Sequence, residues 1–329
     1  MSPGRIGRGW LAGVSLVVGL ALPAPGFAQG QRYALLVQGA SGGAEYASLH
    51  RQWLDRLAAV LADDMKFEPA SVTVLAERPG PDEERSTADA VRAALGRLAG
   101  AMTADDLLFV MLIGHGSGAG PEAKFNLVGP DLTAAEWRVL FDAVPGRLVI
   151  VNSTSASFGF LESLAEAGRV VITATNTPAQ RYHTQFAEGF IAALTDRAAD
   201  ADQNGRISMF EAFTHASRLV GQHFERAGTM ATEHAVLDDT GKGQGRRAGA
   251  DGDDGAVAEA TYLDTTAAPT SSDPELQKLL LRRQVLLNEI DALKRRRASM
   301  SEADYDREFE KLAIDLALVS RQIREHGGG

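Results

Sequence analysis

The sequence predicts an α/β fold, an open and mostly parallel sheet with helices on both faces. From Tyr33 onward, short β-rich apolar runs alternate with amphipathic helical stretches, the order in which crossover helices join parallel strands. The runs are almost continuously apolar, as strands buried on both faces must be. A chain of 329 residues that is 45% apolar and 23% charged also has enough material for one large core.

The elements follow in order. Strands are expected at Tyr33 to Val37, Ser71 to Leu75, Leu107 to Ile113, Leu148 to Val151 and Val170 to Thr173. Between them, Leu49, Trp53, Leu57, Val60 and Leu61 share one helical stripe, and Val91, Leu95 and Leu98 share another. Ahead of the first strand, Arg5 and Arg8 precede an apolar run from Trp10 to Leu22, and Gly26-Phe27-Ala28 offers small residues for cleavage. We therefore expect residues 1–28 to be a signal peptide and the protein to be exported, periplasmic or extracellular. The apolar run is too short to span a bilayer, so no transmembrane segment is expected after cleavage.

The globular domain is expected over residues 29–245. Residues 246–272 are rich in Gly, Asp, Ala, Thr and Ser and read as a flexible linker. Residues 273–329 read as a helical hairpin or coiled coil. Asp273-Pro274 caps a first helix carrying Leu276, Leu279, Leu280, Leu286, Leu287, Ile290 and Leu293. Ser301 to Asp304 opens a second, with Phe309, Leu312, Leu316, Val319 and Ile323 at spacings of three and four. Two helices bury little alone, so this pair is expected to dock on the domain, a second copy or a protein partner.

Composition excludes several chemistries. With 33 basic against 43 acidic side chains the net charge is −10, which gives nucleic-acid binding no overall electrostatic support. The basic run Lys294 to Arg297 ends a helix, where cations complement the dipole. Cysteine is absent, which removes disulfides, thiolate metal sites and thiolate nucleophiles. His183, His215, His223 and His234 are scattered without metal spacing, so a zinc hydrolase finds little support in the sequence. Gly114-x-Gly116-x-Gly118 lacks the Lys-Ser/Thr of a phosphate loop.

The most specific motif is Asp200-Ala-Asp202-Gln-Asn204-Gly205 with Glu211 at the twelfth position, which fits an EF-hand loop. Calcium is the expected cofactor. Asp200, Asp202 and Asn204 would bind it through side chains, Arg206 through its carbonyl, Ser208 directly or through water, and Glu211 through both oxygens. Apolar helical patterns lie on both sides, as a helix–loop–helix requires. A second acidic stretch, Asp238 to Gly243, has Lys242 where a ligand is wanted and reads as a turn or at best a degenerate site.

In an open parallel sheet, ligands bind beyond the carboxyl ends of the strands. There the first strand runs into Gln38-Gly39-Ala40-Ser41-Gly42-Gly43, the third into Gly114-His115-Gly116-Ser117-Gly118, and the fourth into Asn152-Ser153-Thr154-Ser155-Ala156-Ser157. A histidine between glycines suits a general base, and the next strand end would carry its nucleophile. His234, beside Glu233, is expected as a hydrogen-bonded surface histidine, with a place facing the cleft as the alternative.

In element order and in these residues, Tyr33 to Leu237 resembles the caspase/legumain superfamily of cysteine peptidases, within it the legumain-like branch. The resemblance implies that His115 occupies the catalytic histidine position and Thr154 the position of the nucleophilic cysteine. The nucleophile is therefore missing. One reading is a pseudopeptidase, in which the hydroxyls of Ser153, Thr154 and Ser155 cap the following helix. The alternative is a peptidase in which one of them attacks with His115 as base and backbone N–H groups near Gly116 as oxyanion donors. Our expectation is the first: a cleft between Gly39, His115 and Thr154 that recognises a peptide or protein segment without cutting it. A purely structural calcium-dependent scaffold would be favoured if the chain's own loops fill that cleft.

Overall fold

The computed structural model describes residues 30–265 and 273–327; the expected signal peptide lies outside them. Its frame is an eight-stranded sheet made by β1 (Arg32–Gln38), β2 (Val72–Ala76), β3 (Glu84–Arg85), β4 (Leu107–Ile113) and four strands named below. Helix α1 (Ala44–Ala59), extended by a π-turn at Val60–Asp64, joins β1 to β2, and α2 (Ala88–Ala101) precedes β4. Three two-residue strands, β5 (Gly116–Ser117), β6 (Lys124–Phe125) and β7 (Leu132–Thr133), form a small antiparallel sheet. There follow α3 (Ala134–Asp142), β8 (Arg147–Asn152), α4 (Phe158–Leu164), β9 (Ala167–Thr173), α5 (Phe186–Ala193), α6 (Met209–Ala227), β10 (Val236–Thr240), β11 (Arg246–Arg247) and α7 (Ala256–Glu259).

The order across the large sheet is β11-β10-β9-β8-β4-β1-β2-β3. β10 alone runs against its two neighbours; every other pairing is parallel. After β1 the chain steps to β2 on one side and returns to β4 on the other, so the carboxyl ends of β1 and β4 form a topological switch point, where such sheets bind ligands. β4 is buried along its whole length. Its alternate residues divide between two cores: Phe109, Met111 and Ile113 pack with α1, α5 and α6, while Leu108, Val110 and Leu112 pack with α2, α3 and α4.

Residues 246–265, expected as the first part of a flexible linker, pack into the domain instead. Arg246–Arg247 pairs with β10, and Ala258, Ala260 and Leu263 are buried. Small side chains fill this layer, and aspartates satisfy its backbone. Asp239 accepts N–H groups from Gly255, Val257 and Ala258, while Asp238 accepts those of Gly241 and Gly243, which makes residues 238–243 a carboxylate-anchored turn. Counting large apolar residues misses a segment held this way. The remainder, 266–272, lies outside the described residues.

Two further helices, α8 (Pro274–Arg296) and α9 (Glu302–Gly327), pack on each other. Asp273 caps α8 by accepting the N–H groups of Glu275 and Leu276. Leu286, Ile290 and Leu293 are its buried residues, and Arg295 donates to the Ala260 carbonyl at 3.1 Å. The basic run is engaged within the protein: Lys294 lies 3.9 Å from Glu259, and Arg297 lies over the Tyr305 ring. Leu281, Val285, Ile314 and Leu318 remain exposed. Among the described residues no helix is long and apolar enough to cross a membrane.

Candidate functional site

The segment after β8 carries the three hydroxyls proposed as nucleophiles, and each is buried and occupied. Ser153 Oγ donates to the Leu112 carbonyl at 2.7 Å, Thr154 Oγ1 to Asn152 Oδ1 at 2.7 Å, and Ser155 Oγ to the Gly116 carbonyl at 3.2 Å. The Gly116 N–H, expected as an oxyanion donor, points to Ser155 Oγ at 3.3 Å. A Cβ on Gly116 would stand 2.4 Å from the Ser155 carbonyl, so this approach of β5 requires glycine. Ala156 takes a left-handed φ of 50° and donates its N–H to the Gln180 carbonyl, which turns the chain into α4. None of the three hydroxyls lies at the N-cap of α4, which is Ser157 and has no side-chain cap bond.

His115, at the end of β4, makes its hydrogen bond elsewhere. Its Nε2 lies 3.1 Å from the Ser41 carbonyl. A carbonyl only accepts, so Nε2 carries the hydrogen and Nδ1 the lone pair. Among the described residues, no hydrogen bond joins His115 to Ser153, Thr154 or Ser155. The Gly39 corner of the expected cleft is also packed: a Cβ there would meet the Asn126 carbonyl at 2.3 Å, and Ala40 donates its N–H to the same oxygen. What stays open at this end of the sheet is the half-buried His115, Tyr46 and His183, flanked by exposed Gly42, Gly43, Ser117 and Tyr182.

His183 is not an isolated histidine. His50 from α1, His115 from the end of β4 and His183 from the loop before α5 converge, with one ring nitrogen of each within 4.8 Å of the others. The Trp53 ring stacks on His183 at 5.6 Å and 8°, and on His50 at 5.6 Å and 30°. Tyr46 meets His115 edge-on at 4.9 Å. His50 is fully buried, and neither of its ring nitrogens nor either of His183's has a hydrogen-bond partner. Burial, reinforced by the neighbouring imidazoles, pushes His50 down to about 3 and His183 down to about 4, and burial also lowers His115. All three are neutral at pH 7. One signal of this cluster was readable beforehand: His50 lies one turn before Trp53 on the core face of α1.

Glu233 and His234 sit beside this loop. Glu233 accepts the N–H groups of Gln185 at 2.6 Å and Phe186 at 3.3 Å, closing the first turn of α5. Burial nevertheless pushes its carboxyl up to about 7, against the pull of those two donors. His234 Nδ1 lies 2.7 Å from Gln180 Nε2 and so accepts from that amide.

The acidic loop brings Asp200, Asp202 and Glu211 together, with carboxylate oxygens within 4.8 Å of one another. Asp200 accepts the N–H groups of Asn204 and Gly205; Glu211 Oε1 accepts those of Ala201 and Asp202, and its Oε2 that of Ser208. Gly205 supplies the left-handed turn, with φ 85°. Burial raises the Asp202 carboxyl above its ordinary range, and the charges of Glu211 and Asp200 push the same way. Ser208 N-caps α6 in a capping box with Glu211, and the Arg206 side chain pairs with Asp264 at 2.7 Å. Asn204 presents its amide N–H to Asp202 and its Oδ1 to the Arg206 N–H, so it must turn over to act as an oxygen ligand. On the entering side α5 stops at Ala193 and a 3-10 turn, Arg197–Ala199, leads into the loop, whereas the exit helix begins where the motif requires.

No protein-family model and no curated protein matches this sequence. Among solved structures, the chain is similar to the Geobacter sulfurreducens protein GSU0716, with 13% identity and a TM-score of 0.46 over 72% of this chain and 100% of that one. It is also similar to the Drosophila initiator caspase Dronc, with 11% identity and a TM-score of 0.40 over 66% of this chain and 81% of that one.

Proposed function

We propose that this chain is an exported, calcium-stabilised pseudopeptidase of the caspase/legumain type, which recognises a peptide or protein segment at the carboxyl end of its sheet without hydrolysing it. One observation carries the reading: the hydroxyls of Ser153, Thr154 and Ser155 are all buried in internal hydrogen bonds, while His115 is tied to the Ser41 carbonyl. A hydroxyl attacks only when an aligned base takes its proton, and here no base is aligned with one. In this reading the surface from Gly42 past His115 to Tyr182 meets the segment. The calcium ion, held by Asp200, Asp202, Asn204, Glu211, the Arg206 carbonyl and Ser208, fixes the start of α6. The α8–α9 pair, with Leu281, Val285, Ile314 and Leu318 exposed, tethers the protein to a partner or a second copy.

The test is a peptide array probed with the full protein in calcium, with bound peptides recovered and weighed. Intact peptides retained by the protein and lost from a Tyr182→Ala variant support the reading. A second reading, a calcium-dependent structural scaffold, is favoured by the packing of the Gly39 and Thr154 corners by the chain's own atoms. An array that retains nothing, with α8–α9-dependent oligomers in solution, would select it.

A further inference from the structure

The structure assigns to His50, His115 and His183 a binding site for one divalent transition-metal ion of the zinc class, held by three imidazoles. This site lies apart from the calcium loop; it shares His115 with the proposed recognition surface, but its argument does not rest on that reading.

The argument begins with position. The three side chains arrive from α1, the end of β4 and the loop before α5, and meet at the switch point between β1 and β4, where open parallel sheets place their ligands. Each offers one nitrogen within 4.8 Å of the others. A tetrahedral ion with bonds of about 2.0–2.1 Å holds its ligands roughly 3.3 Å apart, a closure within reach of small ring rotations.

The second observation concerns satisfaction. Polar atoms inside proteins nearly always have partners, yet both ring nitrogens of fully buried His50 and both of His183 have none. An ion would satisfy one nitrogen on each ring. His115 already has the outer arrangement that metal-bound histidines use: Nε2–H donates to the Ser41 carbonyl, which fixes the tautomer and leaves Nδ1 as the ligand atom. Trp53 and Tyr46 wall the rings on two sides, holding them near a binding geometry.

The ligand chemistry narrows the ion. Three neutral imidazoles without a carboxylate disfavour calcium and magnesium, which demand oxygen, and suit zinc, cobalt, nickel or copper. Three protein ligands leave a fourth position, and half-buried His115 and His183 put it on the solvent side. An ion bound through Nδ1 also removes His115 as a base.

The test uses the full protein, stripped of metal and then saturated with calcium so that the acidic loop is blocked. Zinc is titrated calorimetrically, and cobalt by its visible absorption. The expected result is one zinc per chain outside the loop and a cobalt spectrum of nitrogen-rich four-coordination. Losing a direct ligand should weaken zinc by more than the about 10–100-fold that outer partners cost, in His50→Gln, His115→Gln and His183→Gln alike, while the exposed His223→Gln leaves it unchanged. Should His50→Gln fail to fold, the loop residue His183 carries the comparison. Absence of zinc binding under calcium saturation, or affinity unchanged in folded His183→Gln and His115→Gln proteins, overturns the assignment and leaves an aromatic packing cluster.

Discussion

Replacing Glu233 by glutamine isolates a single ionisation in the folded protein. Glu233 is 3% exposed, and its carboxyl is pushed up to about 7 from an ordinary 4.5. In the unfolded chain it loses its proton near 4.5, in the folded chain only near 7. Between those values the folded state holds more protons, so stability falls as pH rises. At about 1.4 kcal/mol per unit of pKa, the total loss approaches roughly 3 kcal/mol, complete above pH 7 and fully regained below 4.5. Glu233→Gln cannot titrate. Relative to the protonated acid, replacing one acceptor oxygen by an amide NH2 costs the hydrogen bond to Gln185 or Phe186 and shifts stability by a pH-independent amount. The assay is urea denaturation of both proteins from pH 5 to pH 8. The histidines contribute equally to both proteins and cancel in the difference. We expect wild type to gain about 2.5 kcal/mol on the variant on going from pH 8 to pH 5. A stability difference that stays flat across that range would refute the claim that burial outweighs the two backbone donors.

Three further outcomes follow from the structure. Calcium at a hundredfold excess over its dissociation constant should stabilise the protein by about 2.7 kcal/mol, raising the melting midpoint by roughly 5–10 °C; Asp200→Ala should abolish the response, and a midpoint indifferent to calcium and chelator would remove the cofactor from the account. Ala156→Gly, which relieves a left-handed backbone at φ 50°, should be neutral to stabilising by about 1 kcal/mol in the same denaturation assay; a clear loss would show that the Ala156 methyl, 2% exposed, is needed for packing. Leu286→Ala opens the packed face of α8, where the side chain is fully buried, and should weaken docking by about 2–5 kcal/mol. Limited proteolysis should then release α8 and α9 while the sheet stays intact, and an unchanged digestion pattern would contradict it.

The sheet was legible because its strands carry their burial in their own sequence. Leu107 to Ile113 can only be a strand covered on both faces, and all five expected strands fall on β1, β2, β4, β8 and β9 within a few residues. The segment 246–265 was not legible, since it is held by the buried carboxylates of Asp239 and Asp254 rather than by large apolar side chains. The capping box at Ser208 and Glu211 coincides with the end of the acidic motif, so the start of α6 was readable while the 3-10 entry was not. The histidine cluster escaped because periodicity describes one element at a time. His50, His115 and His183 belong to three, and only the crossover from α1 to β4 and on to α5 brings them together. Sequence also placed Thr154 at a strand end without showing that Asn152 would hold its hydroxyl.

The central claim is that this sheet end binds without cutting. It is tested most directly by a peptide-library cleavage assay on the full protein in calcium, beside His115→Ala and a Ser153→Ala/Thr154→Ala/Ser155→Ala variant. The account predicts no cleavage, or a trace indifferent to both sets of substitutions and therefore foreign. Turnover by wild type that disappears in His115→Ala or in the hydroxyl variant would contradict it and make the protein a peptidase.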